Sequence, residues 1–173
     1  MNRNIKWIIE ITILAFVITV FFSLGSQFLL EDVDVLIGTF IILLFIIIGV
    51  LFDIVGVAVQ SSDVTVFHAM ASKKVKSAKT AKKMLENSAK VSSFCNDVIG
   101  DICNIISGSA GVVVASSIAS KFNLNLMITT LIITSFIAAL TIGGKAIGKG
   151  VAVNKSEYIV TKVTKFIHLF KKK

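Results

Sequence analysis

The run IGTFIILLFIIIGVLF, Ile37–Phe52, contains no charged side chain and a single hydroxyl, that of Thr39. A helix through it is apolar in every direction, so it cannot be the one-sided element of a soluble domain. Extended at both ends it becomes one of four apolar segments, at about Trp7–Leu30, Val35–Val59, Val91–Ala119 and Leu124–Ile147. Each exceeds the roughly 20 residues that a helix needs to cross a hydrocarbon core. The chain of 173 residues is 55% hydrophobic, more than a soluble core of this length requires, and has no proline to interrupt such helices.

The charges lie between and after these segments. ASKKVKSAKTAKKMLENSAK (Ala71–Lys90) carries seven lysines, with Val75, Ala78, Ala81, Met84 and Leu85 spaced for one face of an amphipathic helix. The tail NKSEYIVTKVTKFIHLFKKK repeats the pattern, with Tyr158, Ile159, Val163, Phe166, Ile167 and Phe170 roughly on one side. The first connecting turn is acidic (Glu31, Asp32, Asp34), and the last connection carries only Lys121. Basic residues near the N-terminus (Arg3, Lys6), in the middle segment and after Lys145 then fall on one side of a membrane crossed four times. The positive-inside rule makes that side the cytoplasm, with both termini there, in a multi-pass plasma-membrane protein. The net charge of +8 is accounted for by anionic lipid headgroups and requires no nucleic acid.

Several chemistries are disfavoured. Cys95 and Cys103 are about 12 Å apart along one helix, too far for an intrachain disulfide, and read as small apolar residues. GGKAIGKG (Gly143–Gly150) lacks the P-loop spacing. No zinc spacing or nucleophile–base arrangement is present, and an enzyme is not expected. The polar residues within and beside the spans stand out instead. In SFCNDVIGDICNII (Ser93–Ile106), Asp97, Asp101 and Asn104 fall at i, i+4 and i+7, on one helix face. Asp53, Gln60, Ser61, Ser62 and Asp63 lie on or just after the second span, and Asn96 on the third. Ionisable groups at membrane depth are costly and usually meet a cation, a partner or water. Oxygen ligands of this kind suit a hard cation such as Mg²⁺.

Three segments, in order, resemble the transmembrane domain of the CNNM/CorC (CorB) family, which is associated with Mg²⁺ transport. QSSDVTVFHAMASKKVKSAKTAKKMLENSAK resembles the family's Ser-rich, acidic span end followed by a basic helical hairpin and an LLEN phrase, with Asp63 in the place of a Glu. VIGDICNI is similar to IGNxxxNI, with Asp101 in place of Asn and Asn104 one residue closer. GGKAIGKGVAVNKSEYIVTKVTKFIHLF is similar to the family's GE motif and following helix, with Lys145 for the Glu, Gly148 for the Pro, and Lys149 retained. The resemblance covers roughly Val50–Phe170 and divides the chain into an additional helix and acidic loop, 1–34, and a CNNM/CorC-like domain, 35–173. The family's CBS-domain pair and C-terminal domain do not occur within these residues, so a short member is expected.

The expected fold is therefore an all-α integral membrane protein. It has about four transmembrane helices, a basic amphipathic helical hairpin and a C-terminal amphipathic helix. The resemblance implies a homodimer that binds or transports a divalent cation through Ser62, Asp63, Asp97, Asp101 and Asn104. Lys145 has three readings. It repels a divalent ion, it neutralises Asp97 or Asp101 in the ion's place, or it snorkels to the cytoplasmic boundary. Permanent neutralisation describes a non-transporting membrane partner or regulator.

Overall fold

A backbone with no water to bond satisfies its own N–H and C=O groups, and the α-helix does so within one segment. The computed structural model describes residues 3–30, 34–72 and 78–170, and helix is their only regular structure. The elements are α1 (Arg3–Leu30), α2 (Val35–Ser61), α3 (Val64–Ser72), α4 (Ala78–Glu86) and α5 (Ser88–Ser93). A π-helix, Phe94–Gly100, follows, then α6 (Asp101–Phe122), α7 (Leu126–Asn154) and α8 (Ser156–Phe170). Four stretches are long and apolar enough to cross a bilayer: Ile5–Gly25, Val35–Ser61, Ser88–Phe122 and Leu126–Asn154. Most of the acidic turn (Glu31, Asp32), Val75 with its neighbouring lysines, and the last three lysines lie outside the described residues.

Polar caps set the span boundaries. Asp34 accepts the Leu36 N–H at 3.0 Å and starts α2. Asn123 ends α6 with φ 51°, a left-handed conformation that asparagine tolerates better than most residues. Asn125 then accepts the Ile128 N–H at 3.2 Å, so α7 begins at Leu126 and not at Leu124. The helices that hold the expected third and fourth spans run past them, back to Ser88 and on to Asn154.

The contacts divide the chain into two units. The first comprises Met1–Gly49 and Val98–Gly144. Within it, Ile11, Ala15 and Ile18 of α1 pack on Val98, Ile102 and Ile106, with Phe45 of α2 at the same cluster. Gly49 lets α2 approach Cys103 so closely that an added Cβ would stand 3.1 Å from the cysteine Cβ. Gly111 likewise accommodates the end of Ile137 from α7. Buried hydroxyls are satisfied within their own helices: Ser107 donates to Cys103 O and Thr141 to Ile137 O. Large apolar side chains such as Phe16, Phe40, Met127 and Phe136 point outward, the reverse of a soluble fold.

The second unit comprises Val50–Asp97 and Lys145–Lys173. Its core gathers Ala58 and Val59 of α2, Phe67 of α3, Ala81 and Leu85 of α4, Ala152 of α7 and Val160 of α8. The α4 stripe matches the expected one at Ala78, Ala81 and Leu85. In α8 the side packed on the protein is not the expected apolar side. Ser156, Val160 and Thr164 are buried at i, i+4 and i+8, while Tyr158, Phe166 and Ile167 stay exposed. Small side chains permit closer helix approach, and Thr164 returns its hydroxyl to Val160 O at 2.8 Å. In α7, Gly148 faces α2: a Cβ there would lie 2.7 Å from Ile54 Cγ1. Gly148→Val is expected to destabilise this unit by about 1–3 kcal/mol through overpacking. Thermal unfolding in detergent measures the loss, and Ile54→Ala in the same chain is expected to recover part of it.

Candidate functional site

Two helices bring opposite charges together in the second unit. Lys145 Nζ lies 3.9 Å from Asp53 Oδ1, with the carboxylate side chain 5% exposed and the lysine 18%. Asp53 is about 27 Å along α2 from Val35, and Lys145 about 28 Å along α7 from Leu126, at 1.5 Å per residue. Both charges therefore sit close to one hydrocarbon thickness from the starts of their helices. At this separation the attraction is about 4 kcal/mol for an effective dielectric near 20, against several kcal/mol to desolvate each ion. The pair adds little net stability but is costly to break. The second carboxylate oxygen, Asp53 Oδ2, is buried without a hydrogen-bond partner.

One turn further along α2, Gly56 opens a gap filled by the side-chain amide of Asn96 from the π-helix; a Cβ at 56 would collide with Asn96 Oδ1. That oxygen is also buried and unpartnered. Asn96 Nδ2 donates to Ser92 Oγ at 3.3 Å, and Ser92 in turn donates to Gln60 Oε1 at 3.2 Å. Two acceptors without donors, Asp53 Oδ2 and Asn96 Oδ1, thus flank neighbouring turns of α2. Groups of this kind suit a cation or a water and are costly to leave bare.

Asp97, in the second unit, is exposed on the π-helix, and Asp101 and Asn104, in the first, are exposed on α6. In the π-helix hydrogen bonds run from i to i+5, and π segments occur frequently at functional sites. Asp97 accepts the Ser93 hydroxyl at 2.6 Å, and Asp101 opens α6. A 30 Å hydrocarbon core that begins at Phe122 ends about at Asp101, so Asp97 falls about 6 Å beyond it.

Ser62 and Asp63 are engaged locally. Ser62 donates its hydroxyl to Ala58 O at 2.8 Å, and Asp63 accepts the Thr65 N–H at 2.8 Å as the cap of α3. The Thr65 backbone N–H and then its hydroxyl hold the Asp63 carboxyl below its ordinary value of 3.8. Among the described residues no three or more His, Cys, Asp or Glu side chains converge as a metal-binding group. Comparison with protein-family models, curated proteins and solved structures finds no match to the chain.

The sequence reading missed Asp53 as the partner of Lys145, although counting residues from the starts of α2 and α7 puts both at one depth. Lys145→Met is expected to destabilise the protein by about 3–5 kcal/mol, because Asp53 is left as a buried charge. The double variant Asp53→Asn/Lys145→Met should recover most of that, read as a melting temperature in detergent. A separate expectation concerns Asp63. Its contribution to α3 is fully present well above pH 3.8 and is lost as the pH falls through the lowered value of the folded protein. Hydrogen-exchange protection of the first turn of α3 should follow that course in the parent and be independent of it in Asp63→Ala.

Proposed function

We propose that the chain is a small all-α protein of the plasma membrane, both termini cytoplasmic, that binds and passes a divalent cation, Mg²⁺ by ligand chemistry. The observation that carries this reading is the exposure of Asp101 and Asn104, three residues apart on α6. A carboxylate and an amide oxygen about one turn apart fit a cation that retains several of its waters. Placement at the edge of the hydrocarbon lets the ion arrive hydrated from the cytoplasm, attracted by the carboxylate. Asp53 Oδ2 and Asn96 Oδ1 offer buried acceptors for an ion that has shed part of its water. Transport then follows from alternate exposure of these groups, in a homodimer of the CNNM/CorC kind.

A second reading has its own support in the buried Lys145–Asp53 pair. Here the ammonium is a permanent built-in cation, the acidic groups are structural, and the protein is a membrane-embedded partner or regulator. Mg²⁺ binding to the purified chain in lipid nanodiscs separates the two. Under the first reading the parent binds and Asp101→Asn weakens binding at least about tenfold, as expected when a charged ligand is removed (~1.4 kcal/mol or more). Under the second the parent binds nothing and Lys145→Glu creates binding. A chain that binds Mg²⁺ in neither form would leave the divalent-cation reading without support.

A further inference from the structure

Four of the large side chains of α8 were not absorbed by the core of their unit: Tyr158, Phe166, Ile167 and Leu169 are all exposed. Beside Phe166 and Ile167 lies a groove of about 730 Å³, walled by Leu51, Phe52 and Val55 of α2 and by Met84 of α4. The volume is within the range of about 300–1,000 Å³ that small-molecule sites occupy. Among its lining residues only Lys162 is charged, and the Lys162 ammonium lies 5.4 Å from the centre of the Tyr158 ring. Leu51 and Phe52 are about 24–26 Å along α2 from Val35, still within a hydrocarbon thickness. One wall of the groove is therefore at the depth of acyl chains, and one lining residue is a cation.

We propose that this groove holds an acyl chain of one anionic phospholipid whose phosphate rests on Lys162. Charge selects this occupant. The described residues of the unit carry Lys79, Lys82, Lys83, Lys90, Lys145, Lys149, Lys155, Lys162 and Lys165 against Asp53, Asp63, Glu86, Asp97 and Glu157, an excess of positive charge. A second copy docked symmetrically by this face would bring the same lysines to the groove and be repelled. A lipid brings the opposite charge together with the apolar tail that the walls require. The Tyr158 ring supports the ammonium from one side and leaves its donors to the headgroup. The site depends on the membrane placement of α2 and not on the cation reading.

The test is native mass spectrometry of the full chain in neutral detergent, with phosphatidylglycerol or phosphatidylcholine of identical acyl chains added. The parent should retain the phosphatidylglycerol adduct about fivefold more than the phosphatidylcholine adduct, as one lysine–headgroup contact provides. Lys162→Gln should remove that preference, Val163→Trp should remove both adducts, and Lys149→Gln, whose residue is not among the groove's lining, should change neither. Circular dichroism establishes that each variant retains its helices. If Val163→Trp does not, Leu51→Trp on the other wall takes its place, with the same expected loss. The proposal is overturned if the parent holds both lipids equally, or if Lys149→Gln acts as strongly as Lys162→Gln. Adducts that survive the tryptophan in a folded chain also overturn it, as does a dimer without lipid that the tryptophan dissolves.

Discussion

A carboxylate and an ammonium 3.9 Å apart, both largely shielded from solvent, constrain the second unit more than any other single contact. Neither ion can leave the other without becoming an uncompensated charge in a medium of low polarity, so α2 and α7 are held in register where the two face each other. The neighbouring features follow from that register. Gly148 lies one turn beyond Lys145 and sits against Ile54, the residue after Asp53. Gly56, one turn beyond Asp53, admits Asn96 from the π-helix. Two glycines and one ion pair thus fix which turns of three helices meet, and the Phe67 and Val160 core packs around the result.

The same pair bears on function in two opposing ways. An ammonium satisfies one oxygen of Asp53 and leaves the other bare, so the charge is balanced while the hydrogen bonding is not. A built-in cation serves a structural role well, because it is never lost to dilution. It serves a transport role only if it can be displaced, and displacement by a divalent ion exchanges one positive charge for two beside a single buried carboxylate. Whether the chain handles ions or merely contains one therefore depends on whether that ammonium can be displaced.

Much of the fold was legible in the sequence, because a bilayer simplifies the code. Length and apolarity alone mark a helix that can span, and the four apolar helices and the α4 stripe follow from counting. What failed was recognition of which groups meet across helices. Ser62 and Asp63 have the composition of ligands, yet a hydroxyl next to a helical carbonyl and a carboxylate before a helix start satisfy local demands first. Asp53 lay in the most apolar span, and the direction it faced could not be read from a sequence that is apolar all round. The apolar side of α8 was legible, but not that its Ser156, Val160 and Thr164 side would pack on the protein, because hydrophobicity does not distinguish burial in protein from burial in lipid.

That last ambiguity explains how the two units differ in what they ask of their surroundings. In the first unit the large outward side chains are apolar, and a hydrocarbon environment satisfies them without discrimination. In the second, apolar and cationic groups alternate around the same helices: Phe166 and Leu169 lie among Lys162 and Lys165, and Tyr158 lies beneath an ammonium. Neither water nor hydrocarbon alone suits that surface, because each strands half of it. A layer in which acyl chains end and charged headgroups begin satisfies both kinds of group within the width of one helix. The burial of Ser156 and Thr164 in place of Phe166 and Leu169 is then the consistent choice. Small residues face the protein, and the large ones are left on the outside for surroundings of that kind.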